Sequence, residues 1–339
     1  MKGSSVGVFA LAIAVAGCGG GSGSASENGS AAEALSGEIV VDGSSTVLPI
    51  SEAMSEEFTA EHPDVRVPVA ASGTGGGFKK FANKEVDVSD ASRPIKESEV
   101  EACAANGVEF IELPVAFDGL TLAVNAQNDW VDHLTLAELK AIWEPNSQVR
   151  YWSDVRPSWP KIEIKLYGAG HDSGTFDYFT EAVVGSEGSI RSDYTGSEDD
   201  NTLVQGVAGD KGALGFFGFN YYVENKDKIR AVPIDAGRGP IVPSEETIRS
   251  GEYSPLSRPL FIYVRRDAAD RPEVAAFVEF YLSNAVEIVP ETGYVPLTAE
   301  IYDLVAARFK KRTTGSVFQG GSQVGMKFEE ILSKETGEQ

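Results

Sequence analysis

The chain has 339 residues, 42% of them hydrophobic, with 29 Lys and Arg against 51 Asp and Glu, for a formal net charge of -22. Its length allows two domains of roughly 150 residues each. Its acidity argues against nucleic acid, which is gripped by Lys and Arg on phosphates, and against a broad basic trap: an anion bound here must be held by local backbone dipoles against the field of the whole molecule.

The N-terminus reads as a targeting segment. Lys2 supplies a short positive region, and Val6 to Ala16 is an apolar run too short to span a bilayer. Val15-Ala16-Gly17-Cys18 then resembles the bacterial lipobox, whose Cys is lipidated and becomes the first residue of the mature protein. Residues 1–18 are therefore expected to be a lipoprotein signal. Gly19 to Ser36, almost all Gly, Ser and Ala, is expected to be a flexible tether with a reach of roughly 20–25 Å. A lipid, a tether and a globular body describe a protein of the cell envelope, held at the outer face of a membrane. Cys103 is the cysteine left in the body, so no internal disulfide can form there. It falls in a helical pattern and is expected to be a buried small hydrophobe.

The body begins near Gly37 and alternates strands with helices, as α/β layers do. Glu38 to Asp42 reads as a strand, followed by Gly43-Ser44-Ser45-Thr46. Pro49 suits a first helical turn, and Ile50, Met54 and Phe58 keep helical spacing. Val65 to Ala71 reads as a second strand, then Ser72-Gly73-Thr74-Gly75-Gly76-Gly77 opens a helix carrying Phe78 and Phe81. Ile162 to Tyr167 alternates as a strand, then Gly168 to Gly174 leads to a helix with Phe176, Phe179 and Val183 on one face. Phe110 to Asn125 and Leu256 to Val264 are β-rich stretches that would cross between two domains. The order strand, Gly/Ser/Thr turn, helix thus occurs three times, without a fixed repeat period.

A helix N-terminus carries unpaired N–H groups and a partial positive charge. Glycine lets an anion approach the backbone, and Ser or Thr adds a hydroxyl. One such turn is ordinary capping. Three in one α/β chain, with no basic cluster beside them, point to a tetrahedral anion gripped from several sides.

Asp42-Gly43-Ser44-Ser45-Thr46-Val47, Ser72 to Phe81, Asp90-Ala91-Ser92-Arg93-Pro94-Ile95 and Asp172-Ser173-Gly174-Thr175-Phe176 together resemble the phosphate-binding proteins of bacterial Pst-type importers. The resemblance is closest to the branch of cyanobacteria and other bacteria with the DASRPI signature. It extends to Ile142-Trp143-Glu144-Pro145, Gly212 to Gly218 and Ser257-Arg258-Pro259-Leu260, and so covers the body from about Gly37 to Lys311. It implies a two-lobed periplasmic-binding-protein fold of type II, each lobe a mixed sheet flanked by helices. The lobes would comprise 37–118 with 259–339, and 119–258. Inorganic phosphate would sit in the cleft between them, and permease subunits of an ABC importer would be the partners of a monomeric receptor.

Carried over by motif, Ser45, Thr46 and the Val47 N–H form one cradle, Ser72, Thr74 and Gly75 a second, and Ser173, Gly174 and Thr175 a third. The family also uses an Asp that accepts the proton-bearing oxygen of phosphate, which turns away unprotonated sulfate. Asp90 is the candidate, although Ser92 can also be aligned at that position. The chain departs from the enterobacterial pattern at Ala169, where that pattern has Arg. Arg93 could supply the planar fork instead, or it could form a structural pair with an acidic neighbour. Asp118 and Asp172 are further candidates for the cleft, and His171 reads as an exposed loop residue.

Other features carry less. Ser197 to Asn201 is acidic but lacks calcium-loop spacing, and Asn201 reads as a helix cap. Gly212 to Tyr222 reads as a buried strand, and Trp143, Trp152 and Trp159 as packing residues. His62, His133 and His171 lack partners for zinc, so no metal or cofactor is expected. With no G-x-S-x-G elbow and no metal cluster, hydrolysis is disfavoured. The open alternative is a receptor for another oxyanion, such as sulfate or molybdate, or a sensory or adhesive use of the same fold.

Overall fold

A computed structural model of the chain describes residues 35–171 and 173–317. Cys18, the tether up to residue 34 and Asp172 lie outside the described residues.

Among the described residues, nine strands form one mixed sheet. Its path runs Val69–Ala71, Val41–Gly43, Val88–Ala91, Ser257–Arg265, Phe110–Asn125, Ala213–Gly218, Lys165–Ala169 and Thr195–Ser197, and Ile229–Ala231 joins beside Phe110–Asn125. Val41–Gly43 pairs in parallel with both of its neighbours, the mark of strand–helix–strand units. The strand Phe110–Asn125 is buried along all 16 residues. Its first stretch pairs antiparallel with Ser257–Arg265, and its last with Ala213–Gly218 and Ile229–Ala231. Both apolar stretches expected to be crossovers are therefore central strands lying side by side. Their register slips between Leu260 and Phe261, and the carbonyl of Val115 at that bulge accepts a hydrogen bond from Tyr302 Oη at 2.6 Å.

The pairing has a geometric consequence. Strands of the first half run with Phe110–Asn125, whereas Ala213–Gly218 and Lys165–Ala169 run against it. The carboxyl ends of the two sets therefore point at each other across the middle of that strand. Ligands of open α/β sheets bind at such ends.

Helices cover the sheet as their apolar spacing dictates. In Leu48–Glu61, Ile50, Met54 and Phe58 are buried and Pro49 lies in the first turn. This helix packs on Pro272–Glu291, with the Phe58 and Phe277 rings 5.3 Å apart, edge to face. Phe176, Phe179 and Val183 are all buried, but the helix Gly174–Phe179 passes into a π-turn over Thr180–Val184. Cys103 is buried in the helix Glu97–Ala105, and the three tryptophans pack as expected.

Three local readings change. Val65 to Ala71 is two short strands, Val65–Arg66 and Val69–Ala71, because Pro68 between them has no N–H to donate. The strand expected at Ile162 to Tyr167 lies at Lys165–Ala169, since Ile164 N–H donates instead to Arg150 O and Ile162 O accepts from Trp152 N–H. Gly212 to Tyr222 leaves the sheet at Gly218 and turns into the helix Phe219–Glu224.

Candidate functional site: a cleft of facing helix N-termini

Four turns reach the middle of the sheet. Ser44 to Val47 follow the strand Val41–Gly43, Ser72 and Gly73 follow Val69–Ala71, Ser92 and Arg93 follow Val88–Ala91, and Gly170 to Ser173 follow Lys165–Ala169. The first three meet at a cavity of about 500 Å³ whose walls include Ser45, Thr46, Ser72, Thr74, Gly75, Ser92, Arg93 and Arg258, and Gly174, the first residue of the helix after the fourth turn, completes the wall. A second chamber of about 270 Å³ lies alongside, lined by Ser45, Asp118, Ser173, Gly174, Thr175, Asp200 and Tyr294 among others. Ser45 and Gly174 border both. A Cβ placed on Gly174 would come within 2.4 Å of Thr46 Oγ1, so the turns of the two halves are in contact.

The second corner is the best formed donor set. Gly73 takes a left-handed φ of 78° before the helix Thr74–Ala82. Gly77 N–H is the first to bond back, to Gly73 O at 2.8 Å. The N–H groups of Thr74, Gly75 and Gly76 thus lack intrahelical acceptors. Beneath them, buried Asp42 fixes the corner: its Oδ1 accepts from Ser72 N at 3.0 Å and Ser72 Oγ at 2.6 Å, and its Oδ2 pairs with Lys80. Burial works against this carboxylate, but Lys80 and Ser72 hold it below its usual range. Thr74 Oγ1 sits 3.1 Å from Ser92 Oγ and accepts from Ser92 N at 3.2 Å.

At the first corner, Thr46 N–H donates to Ser44 Oγ and Val47 N–H to Ser44 O, each at 3.2 Å. Val47 is therefore engaged in its own turn, and its side chain is in the core. Thr46 Oγ1 accepts from Arg258 Nη2 at 3.1 Å. At the third corner, Ser173 Oγ caps the helix by accepting Thr175 N at 3.2 Å, and the hydroxyl-bearing pair Ser173 and Thr175 faces the second chamber.

Two expected residues sit differently. Asp90 is fully buried below the first corner and lines neither chamber. Its backbone O accepts from Ser44 N at 2.9 Å, its Oδ1 from Ser51 Oγ at 3.0 Å, and its Oδ2 has no partner among the described residues. Burial pushes its carboxyl up to about 7. Ser92, the alternative alignment, lies just past the strand end at Ala91 and lines the cavity. Arg93 does reach the cavity wall, but Nη1 and Nη2 grip Glu99 at 2.9 and 2.7 Å, the structural pairing. His171 is exposed, with its ring against Phe176. Asp199, not Asn201, caps the helix Asp200–Gly209, because its Oδ1 accepts Asn201 N.

Arg258, within the motif Ser257-Arg258-Pro259-Leu260, is a site residue that the motifs alone do not single out. Arg258 lies directly opposite Asp118 in the crossover pair, with Nε 3.3 Å from Asp118 Oδ2. Its guanidinium stacks on Tyr178 at 3.8 Å. The available signal was positional: Arg258 and Asp118 occupy the two stretches expected to cross between halves.

A model of the PBP superfamily domain matches residues 28–285. Protein SphX of Synechococcus elongatus is 48% identical over 312 residues, 91% of either chain. Phosphate-binding protein PstS of Staphylococcus saprophyticus is 40% identical over 268 residues, 78% of this chain and 82% of its own. The crystal structure of "a possible phosphate binding protein" from Planctomyces limnophilus is 48% identical, with a TM-score of 0.78 over 82% of this chain and 99% of that one.

Proposed function

Because the chain belongs to the PBP superfamily and to the family that includes Protein SphX and phosphate-binding protein PstS, we propose that it captures inorganic phosphate in its cleft and delivers it to an ABC-type import permease. The observation that carries this reading is the convergence of three strand-end turns and the helix start at Gly174 on one cavity, with Gly174 of one half touching Thr46 of the other. Peptide N–H groups of Thr74, Gly75 and Gly76 and the hydroxyls of Ser45, Thr46, Thr74 and Ser92 offer donors to a tetrahedral oxyanion. Ser173, Gly174 and Thr175 would close on it from the opposite side.

The two lobes are 37–118 with 259 onward, and 119–258; residues 318–339, expected in the first lobe, lie outside the described residues. The pairing of Phe110–Asn125 with different partners along its two stretches supports that division. Phosphate favours the closed arrangement because it bridges both lobes. The related receptors are substrate-binding proteins, and this chain acts as one rather than as a hydrolase. It works outside the cytoplasm as a monomer, anchored through Cys18 by lipid; no helix among the described residues is long and apolar enough to cross a membrane.

Calorimetry with phosphate, sulfate and molybdate tests the ligand. Phosphate is expected to bind and the other two to fail; equal binding of sulfate would replace phosphate selectivity with general oxyanion capture. Detergent partitioning of Cys18→Ser tests the anchor, and the variant should leave the detergent phase.

A further inference from the structure

Three cations line the large cavity: Arg93, Lys96 and Arg258. Arg93 is committed to Glu99, and Lys96 is exposed. Arg258 differs from both. Its side chain is 16% exposed, and three groups from different parts of the fold fix its orientation. Asp118 on the neighbouring strand holds Nε, Thr46 of the first corner takes Nη2, and the Tyr178 ring covers one face. Tyr178 is itself pinned, its Oη donating to Pro255 O at 2.5 Å. Nη1 has no protein partner among the described residues.

We propose, building on the phosphate reading, that Arg258 is the cation that meets the bound anion, and that Asp118 and Tyr178 are the positioning residues that hold its guanidinium at the seam between the halves. A guanidinium offers five donors in a planar fork, and here part of that fork is unspent and borders the cavity. Thr46 Oγ1, to which it donates, lies where a Cβ on Gly174 of the opposite half would meet it at 2.4 Å. An oxyanion cradled there lies within reach of Nη1 and Nη2. Asp118 is only 4% exposed and offsets the charge of a largely buried guanidinium. The neutral pair leaves dipoles to supply most of the attraction, in keeping with the acidic chain.

The test is calorimetric titration of the full-length chain with inorganic phosphate. Arg258→Ala should lose about 10- to 100-fold in affinity, the range for a charged hydrogen bond. Arg258→Lys should recover part of it, keeping the charge without the fork. Because Arg258→Ala strands a buried carboxylate, Arg258→Ala with Asp118→Asn is measured beside it and should fold and bind equally weakly. Asp118→Asn alone keeps an acceptor for Nε but removes the offsetting charge, so its phosphate affinity should fall more steeply with salt; an unchanged salt dependence removes Asp118 from the proposal. The Arg258 side-chain nitrogen resonances should shift on saturation with phosphate. Wild-type affinity in Arg258→Ala, or unmoved resonances, would overturn the Arg258 assignment while leaving phosphate capture intact. An unaltered chain that binds no phosphate would overturn both.

Discussion

Gly174 and Thr46 come from opposite halves of the sheet and leave no room between them for a methyl group: a Cβ on Gly174 would meet Thr46 Oγ1 at 2.4 Å and Thr46 N at 3.1 Å. Gly174 does not adopt a left-handed φ, so its backbone tolerates alanine. Gly174→Ala should therefore leave the fold intact and hold the halves apart. Phosphate affinity should drop roughly tenfold or more, the scale of an overpacked contact, with the melting temperature little changed. Undiminished affinity by calorimetry would mean that this contact plays no part in closure.

Asp90 makes stability depend on pH. Burial raises its carboxyl to about 7, Asp42 adds to the rise, and the Ser51 hydroxyl opposes it. Between about pH 4 and pH 7 the folded chain holds a proton that the unfolded chain has released, so stability falls as pH rises through that window. Asp90→Asn removes the titration. From pH 5 to pH 8 in urea melts, the variant should gain about 3 kcal/mol relative to the unaltered chain. Parallel pH profiles would contradict a neutral, buried Asp90. Tyr281 and Ser51 face the same carboxyl and remain in both proteins.

Much of this architecture was legible because helix and strand periods and Gly/Ser/Thr turns are local signals. The three turns at Ser44, Ser72 and Ser173, the crossover strands and the buried Cys103 could be read from the chain alone. The side on which a strand residue falls could not. Asp90 and Ser92 differ by two positions, but the strand ends at Ala91 between them, so its alternation no longer decides which way the second one faces. Arg93 and Arg258 look alike in sequence; Glu99, six residues from Arg93, and Asp118, 140 residues from Arg258, decide what each is free to do.

Asp42 ties Ser72 and Lys80 beneath the second corner. Asp42→Ala leaves these donors without their acceptor. The loss should be about 3 kcal/mol, the low end for breaking a buried pair, because Lys80 is partly exposed. Phosphate affinity should fall as well, since Ser72 and Gly73 lose the group that sets their position. A variant with normal affinity and a lowered denaturation midpoint would limit Asp42 to a structural role.

Gly77 lies where the helix Thr74–Ala82 presses on the strand Val41–Gly43. A Cβ there would sit 2.6 Å from Gly43 Cα and 3.0 Å from Asp42 O, both backbone atoms that cannot swing aside. Gly77→Ala should destabilise by about 1–3 kcal/mol and lift the N–H groups of Thr74 to Gly76 away from the cavity. A denaturation midpoint equal to that of the unaltered chain would show that the helix can shift without cost.

The strand Phe110–Asn125 belongs to neither half alone, since its opening residues complete one set of neighbours and its closing residues the other. A nick within it would strip both sets of a central member, so the halves are not separable as stable fragments. The molecule should accordingly melt in one cooperative transition.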